Sequence, residues 1–148
     1  MKKNLFPLVA TILVLLCANC NTTKKSVKSE KFPLIGTQWS LFSLEGEEIS
    51  NDFALRPFIT FDSTGQIQGN LGCNTFFGNY SVNKKHKMTI SYQGSTKRLC
   101  GQMKVERQFI TALKRDINSY QIKDEELILS SDGEEIMRFK GVNLNEVE

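Results

Sequence analysis

Histidine is almost absent from this sequence of 148 residues, because His86 is the only one. It lies in a lysine-rich segment, Asn83 to Lys87, that has the composition of an exposed turn. Hydrolases usually activate a serine or cysteine nucleophile with a nearby histidine, and zinc sites need several histidine or cysteine ligands at regular spacing. We therefore expect no enzymatic activity, no catalytic residue and no bound metal.

The sequence also lacks the motifs that hold phosphate-containing ligands. Gly69, Gly72 and Gly78 are closely spaced, but neither a GxGxxG motif leading into a helix nor a P-loop lysine is present. Basic residues outnumber acidic ones by only 19 to 16, so no basic face for nucleic acid is indicated. We expect no cofactor and no nucleic-acid partner, and we interpret the three glycines as turn and bulge positions.

A hydrophobic run long enough to cross a bilayer is missing as well, since about 20 apolar residues are needed. The longest run, Leu5 to Leu16, follows a short basic start and is typical of a secretory signal. It ends in Leu16-Cys17-Ala18-Asn19-Cys20, which resembles the lipobox of bacterial lipoproteins. We interpret residues 1–19 as a signal peptide and Cys20 as the lipidated mature N-terminus. Lipidation of Cys17 and an ordinary signal peptide are the alternatives.

Residues 20–34 are predicted to be the lipidated cysteine and a flexible tether. The segment from Asn21 to Lys31 has four lysines, one glutamate and no apolar period. We therefore expect the membrane to be a partner of this chain, reached through the lipid on Cys20.

Two of the four cysteines, Cys73 and Cys100, lie outside the first 20 residues. Removal of Cys17 with the signal peptide and acylation of Cys20 would leave them as an even pair. In an oxidising envelope such a pair can form a disulfide, which is our prediction. A close but reduced pair is one alternative, and a redox-active pair is another, since Cys100 precedes a predicted helix.

Alternating apolar and polar residues predict about eight antiparallel strands within residues 35–142. A change to helical periodicity between Gln102 and Asn118 predicts one amphipathic helix, inserted after the fifth strand. We therefore expect an α+β domain in which a curled antiparallel sheet forms a partial barrel and the helix covers an open face or end. Residues 143–148 are predicted to be a frayed tail.

The stretch from Gly69 to Tyr80 is rich in glycine and asparagine and is predicted to be a shaped turn between two strands. Its aromatic residues Phe76, Phe77 and Tyr80 are predicted to fill the core, with a ligand pocket as the alternative. Trp39, the only tryptophan, is also predicted to lie in the core.

Residues of this stretch and its surroundings resemble the META domain of HslJ-type lipoproteins. The matching positions are Trp39, Leu41, Gly69, Gly72, Cys73, Asn74, Phe77, Gly78, Tyr80, Thr96 and Cys100. The likeness runs from about Gly36 to Phe139, and the spacer Lys97-Arg98-Leu99 departs from the usual pattern.

The resemblance implies a small envelope domain with a heat-shock label and no settled activity. We therefore expect a non-enzymatic binding or assembly-assisting module linked to envelope stress, with an envelope protein as its partner. A structural stress protein without a discrete ligand, and a thiol-redox protein using Cys73 and Cys100, are the alternatives. Asn21 is not the aspartate that retains proteobacterial lipoproteins in the inner membrane, so we expect the outer membrane, facing the periplasm.

Overall fold

The computed structural model describes residues 32–101 and 103–142. The predicted signal peptide, Cys20, the tether up to Lys31 and the tail from 143 to 148 lie outside these residues. The described chain forms β1 (Gln38–Leu44), β2 (Glu47–Glu48), β3 (Phe58–Phe61), β4 (Gln66–Asn70), β5 (Thr75–Val82), β6 (Met88–Ser95), α1 (Met103–Leu113), β7 (Ser119–Lys123), β8 (Glu126–Ser131) and β9 (Glu134–Val142). The predicted α+β class is confirmed.

The strands form one antiparallel sheet that curls into a half-barrel. Its order is β6-β5-β4-β3-β1-β9-β8-β7, and the short β2 pairs with β1. Because β1 lies between β3 and β9, Gln38 pairs with Thr60 on one side and with Val142 on the other. The edge strands β6 and β7 approach each other near their starts, where the Tyr120 amide donates to the His86 carbonyl at 3.1 Å.

The helix follows the sixth strand rather than the fifth. The additional strand is β2, which has only two residues and was not predicted. Glu45 and Gly46 adopt positive φ angles of 49° and 82° and return the chain along the end of β1. The register then pairs Leu44 with Glu47, so two residues beyond the turn join the sheet.

The helix is also shorter than predicted and ends at Leu113 instead of near Asn118. The amides of Lys114 and Arg115 donate to carbonyls three residues earlier, so the last turn tightens and the helix stops. Ile117 then lies in the core with 1% of its surface exposed. Among the described residues, no helix has the length and apolar content that spanning a bilayer requires.

Alternate strand residues and one face of α1 form the core. Trp39 and Leu41 of β1 and Phe109 of α1 have no exposed surface. The Trp39 indole N–H donates to the Leu34 carbonyl at 3.1 Å, which ties the segment before β1 to the core. The sheet and the helix are therefore joined by burial of large apolar side chains, the main stabilising term in folding.

The turn is shorter than predicted, because most of the stretch from Gly69 to Tyr80 is strand. The turn is confined to residues 71–74, and β5 begins directly after it at Thr75. Phe76, Gly78 and Tyr80 alternate on the buried side of β5. Glycine within a strand commonly marks a close approach of neighbouring groups. Composition alone does not distinguish such a glycine from one in a turn.

Gly69 is the clearest case of such an approach. It lies in regular pairing opposite Ile59 of β3 and Phe76 of β5. A Cβ atom here would overlap the Phe58 carbonyl and would lie 2.7 Å from the Phe76 ring. Gly69 is therefore needed for close packing rather than for a turn or a bulge, whereas Gly78 does lie at a register shift between β5 and β6.

We predict that Gly69→Ala destabilises the domain by about 3 kcal/mol, because the added methyl group forces the backbone of β3 and the Phe76 ring apart. Urea unfolding at equilibrium measures this change. Gly101→Ala is the matched control, since a Cβ at Gly101 meets nothing within 4 Å. Equal unfolding free energies for the two variants would contradict the packing explanation.

Candidate functional site

The turn at residues 71–74 is the centre of the candidate site. Gly72 has a φ of 103°, which glycine adopts without strain, and its amide donates to the Asn70 side-chain oxygen at 2.7 Å. The Leu71 amide donates to the Asn74 carbonyl at 2.7 Å and closes the turn. The turn thus holds Cys73 and Asn74 in one fixed position at the start of β5.

Asn74 has 1% of its surface exposed. Its side chain joins this turn to the loop that follows β6. Its Oδ1 accepts hydrogen bonds from the Thr96 hydroxyl at 2.8 Å and from the Arg98 amide at 2.7 Å. Its Nδ2 donates to the Arg98 carbonyl at 3.0 Å. Both backbone groups of Arg98 are therefore held by one amide side chain.

The same Asn74 side chain also reaches α1, through Glu106. Nδ2 of Asn74 donates to Oε1 of Glu106 at 2.8 Å, and the Asn74 backbone amide donates to Oε2 at 3.0 Å. Glu106 is 4% exposed and lies in the first turn of the helix, where the helix dipole favours a negative charge. The carboxylate is compensated by these donors and is sheltered from any substrate.

Sequence reasoning missed Glu106, although a signal was present. Glu106, Phe109 and Leu113 follow the i, i+3, i+7 spacing of one helix face, and the last two are fully buried. A carboxylate on an otherwise apolar face indicates a buried polar contact. Its partner could not be found from the sequence, because Asn74 is 32 residues away.

Cys73 and Cys100 lie at disulfide distance. Their Cα atoms are 6.2 Å apart, which is within the range for bridged cysteines. Cys73 is buried, whereas Cys100 is exposed in the loop between β6 and α1. A guanidinium N–H of Arg98 also donates to the Cys73 carbonyl at 2.6 Å, so this pair and the Asn74 contacts join the same two segments.

We name residues 96–101 the Leu99 loop, after the residue at its tip. Leu99 is 95% exposed, although Arg98 before it is held by Asn74 and Cys100 after it lies against Cys73. The loop therefore displays an aliphatic side chain to solvent from a fixed backbone. Lys97 and Arg98 beside it are exposed, as is Lys104 in the first turn of α1.

A second loop with an exposed leucine contacts the same turn. A Cβ at Gly72 would lie 3.3 Å from the Phe53 ring and 3.4 Å from the Pro57 ring. Leu55, between these residues, is 50% exposed. Exposed apolar side chains are therefore present on both loops that flank the turn.

Phe77 is the aromatic residue for which the core prediction is wrong. Phe76 and Tyr80 are buried, but Phe77 is 56% exposed, because β5 alternates and odd-numbered positions face outward. A groove of 610 Å³ lies over this outer face, lined in part by Phe58, Thr75 and Phe77. The alternative of a ligand-lining aromatic therefore fits Phe77 better than a core position does.

The remaining candidate residues lie away from the turn. The Tyr80 hydroxyl donates to the Asp62 carbonyl at 2.6 Å, and burial of the phenol raises the pKa of Tyr80. His86 has a φ of 57° in the turn before β6, and its ring centroid is 5.3 Å from that of Tyr120. Within the described parts of the chain, no three acidic, histidine or cysteine residues are grouped as metal ligands would be.

We predict that Asn74→Ala lowers the free energy of unfolding by about 3 kcal/mol, because it removes hydrogen bonds to a buried carboxylate. Chemical denaturation measures this loss. Asn79→Ala is the matched control at an exposed position of β5, the strand that follows the turn, and it should cost less than about 0.5 kcal/mol. A similar cost for both variants would show that the Asn74 contacts do not stabilise the fold.

We predict that the mature protein, purified without reductant and denatured, has no free thiol at Cys73 or Cys100. The cysteines are 27 residues apart in sequence, so the chain-entropy model gives a disulfide roughly 3 to 4 kcal/mol of stability. Cys73→Ser should lower the melting temperature, and reductant should lower it in the wild type but not in this variant. Two free thiols in the denatured wild type would show that the turn is held by packing and hydrogen bonds alone.

Comparisons with known proteins agree with this fold. The META domain family model matches residues 32–143. An NMR structure of a protein from Burkholderia xenovorans is 21% identical, with a TM-score of 0.54 over 74% of this chain and 84% of that one. A second protein solved by NMR is 20% identical, with a TM-score of 0.54 over 70% of this chain and 87% of that one.

A crystal structure of a DUF4847 family protein from Bacteroides vulgatus is 23% identical and covers 57% of each chain, with a TM-score of 0.47. A search of curated proteins found no match. The structural similarities concern the fold alone, whereas the family match extends over most of the chain and includes the turn, the Leu99 loop and α1. The resemblance expected from the sequence is confirmed, and the chain belongs to the META domain family.

Proposed function

We propose that this chain is a lipid-anchored protein of the bacterial envelope whose META domain is a non-enzymatic binding or assembly-assisting module. The N-terminal apolar run followed by Cys20 supports the anchor. The distance between Cys73 and Cys100 fits a chain that folds in an oxidising compartment. The absence of aspartate at position 21 supports the outer membrane, facing the periplasm, and the family label supports a link to envelope stress.

The observation that carries the binding role is the Leu99 loop. Leu99 is 95% exposed on a fixed backbone, and Leu55 on the other loop that flanks the turn is 50% exposed. Apolar side chains grouped on one surface favour a contact with another molecule. A pre-formed loop also loses little conformational entropy on binding. The exposed cations Lys97 and Arg98 favour an envelope protein with an apolar pocket and an acidic rim.

A thiol-redox role is the second candidate, because Cys100 is exposed and precedes α1 by three residues. Thiols near a helix N-terminus can have a depressed pKa and react with disulfides. The thiol count described above separates the two functions, since a redox protein would be recovered partly reduced. A structural stress protein without a ligand is distinguished by the absence of a dominant partner.

We expect mass spectrometry of the mature protein to find a diacylglyceryl group on Cys20.

We also expect a photo-crosslinking residue at position 99 to yield one dominant protein adduct in intact cells. Val82 is the matched control position, because it is also aliphatic and is 42% exposed at the far end of β5. Adding Lys97→Glu should reduce the adduct from position 99. An unmodified N-terminus would reject the anchor, and identical protein adducts from positions 99 and 82 would reject the binding loop.

A further inference from the structure

The first described residues, 32–35, lie beside the hairpin that joins β5 to β6. Ile35 forms a bridge with Phe61, and Leu34 lines a cavity of 470 Å³ together with His86 and Tyr120. We name this region the N-terminal pole and define it as residues 32–35 and 82–87.

The hairpin of the N-terminal pole is strongly cationic. Lys84, Lys85 and Lys87 are all exposed, and residues 83–87 contain no carboxylate. The Asn83 side-chain oxygen accepts hydrogen bonds from the amides of Lys85 at 2.9 Å and Lys87 at 3.2 Å. The Tyr120 amide holds the His86 carbonyl at 3.1 Å. The lysines are therefore presented by an ordered turn.

Apolar side chains accompany these lysines. Ile35 is 45% exposed and Val82, directly before the hairpin, is 42% exposed. Lysines combined with exposed aliphatic residues suit a membrane interface, where the apolar groups lie at the headgroup level and the cations contact lipid phosphates. Carboxylates border this surface, because the exposed Asp62 directly follows Phe61, which bridges Ile35, and Asp124 and Glu125 follow β7. The cationic surface is therefore confined to the hairpin.

The proposed lipid on Cys20 would bring a bilayer within reach of the domain. Cys20 precedes Phe32 by 12 residues, and an extended chain of that length reaches at most about 40 Å. The eight residues of β5 separate Val82 from the turn that holds the Leu99 loop, a length of about 25 Å. Because this reach exceeds about 25 Å, the tether alone lets either end of the domain meet the bilayer, and the surface chemistry of the N-terminal pole has to select the orientation.

We propose that the N-terminal pole binds the surface of a membrane that contains anionic lipids. Lys84, Lys85 and Lys87 contact headgroup phosphates, and Ile35 and Val82 lie at the interface. The bound orientation directs the Leu99 loop away from that membrane. This inference rests on the proposed lipid anchor for the proximity of the bilayer, and the lysine hairpin supplies the orientation.

The test uses the protein purified from bacterial membranes and reconstituted in vesicles of phosphatidylcholine with or without phosphatidylglycerol. Two variants, Val82→Trp and Leu99→Trp, each add one tryptophan at an exposed aliphatic position, while Trp39 has no exposed surface in either. Brominated lipids quench tryptophan at the interface. We expect at least twofold stronger quenching in Val82→Trp than in Leu99→Trp on anionic vesicles, and loss of that difference in about 1 M salt, where the Debye length is about 3 Å.

Charge reversal gives the matched comparison. In the Val82→Trp background, Lys84→Glu, Lys85→Glu and Lys87→Glu together should abolish the quenching on anionic vesicles. Lys104→Glu, Arg107→Glu and Lys114→Glu change the net charge equally at exposed positions elsewhere and should retain it. Circular dichroism checks that both triple variants are folded, and single lysine substitutions replace a triple variant that is not.

The outcomes separate this inference from the proposed function. Protein that floats with neutral vesicles but is quenched equally at both positions, or more strongly in Leu99→Trp, overturns the membrane-facing pole and leaves the lipid anchor in place. Protein that does not float with neutral vesicles rejects the anchor, and quenching of Val82→Trp on anionic vesicles would then still support the lysine surface. Retained quenching in the Lys84, Lys85 and Lys87 triple variant overturns the inference under either outcome.

Discussion

The hydrogen bonds between Asn74 and Glu106 are the interaction on which one end of this domain depends. A carboxylate that is 4% exposed is tolerated only when donors replace the water it has lost. Asn74 supplies these donors from its backbone and its side chain, and the same side chain holds both backbone groups of Arg98. The turn, the loop after β6 and the first turn of α1 can therefore meet in only one arrangement.

That arrangement gives residues of the family motif a structural role. Gly72 permits the turn, Asn74 bridges three segments, and Thr96 fixes the orientation of the Asn74 amide by donating to its oxygen. Cys73 and Cys100 lie beside the same contacts. The motif is a structural support for the loop between β6 and α1.

The sequence predicted the parts of the fold that depend on local periodicity. Alternation identified the long strands, and the apolar spacing from Val105 to Leu113 identified the helix. Predictions failed where a distant neighbour decides the conformation: Gly69 is required by Phe58 and Phe76, and the end of α1 is set by the burial of Ile117. Phe77 faces outward because it lies between the buried Phe76 and Gly78 in β5, where the sequence predicted a turn and gave no alternation to follow.

The pairing of β1 with β9 bears on when the domain can fold. β1 begins six residues after the first described residue, yet its partner on one side, from Met137 to Val142, is the last part of the sheet to be synthesised. A nascent or translocating chain can form the hairpins from β3 to β6 early, but the centre of the sheet stays incomplete until nearly the whole chain has emerged. Such long-range closure slows folding and leaves Trp39 and Leu41 without their final cover. The centre of the sheet is therefore the last part of the domain to close, after the hairpins from β3 to β6 have formed.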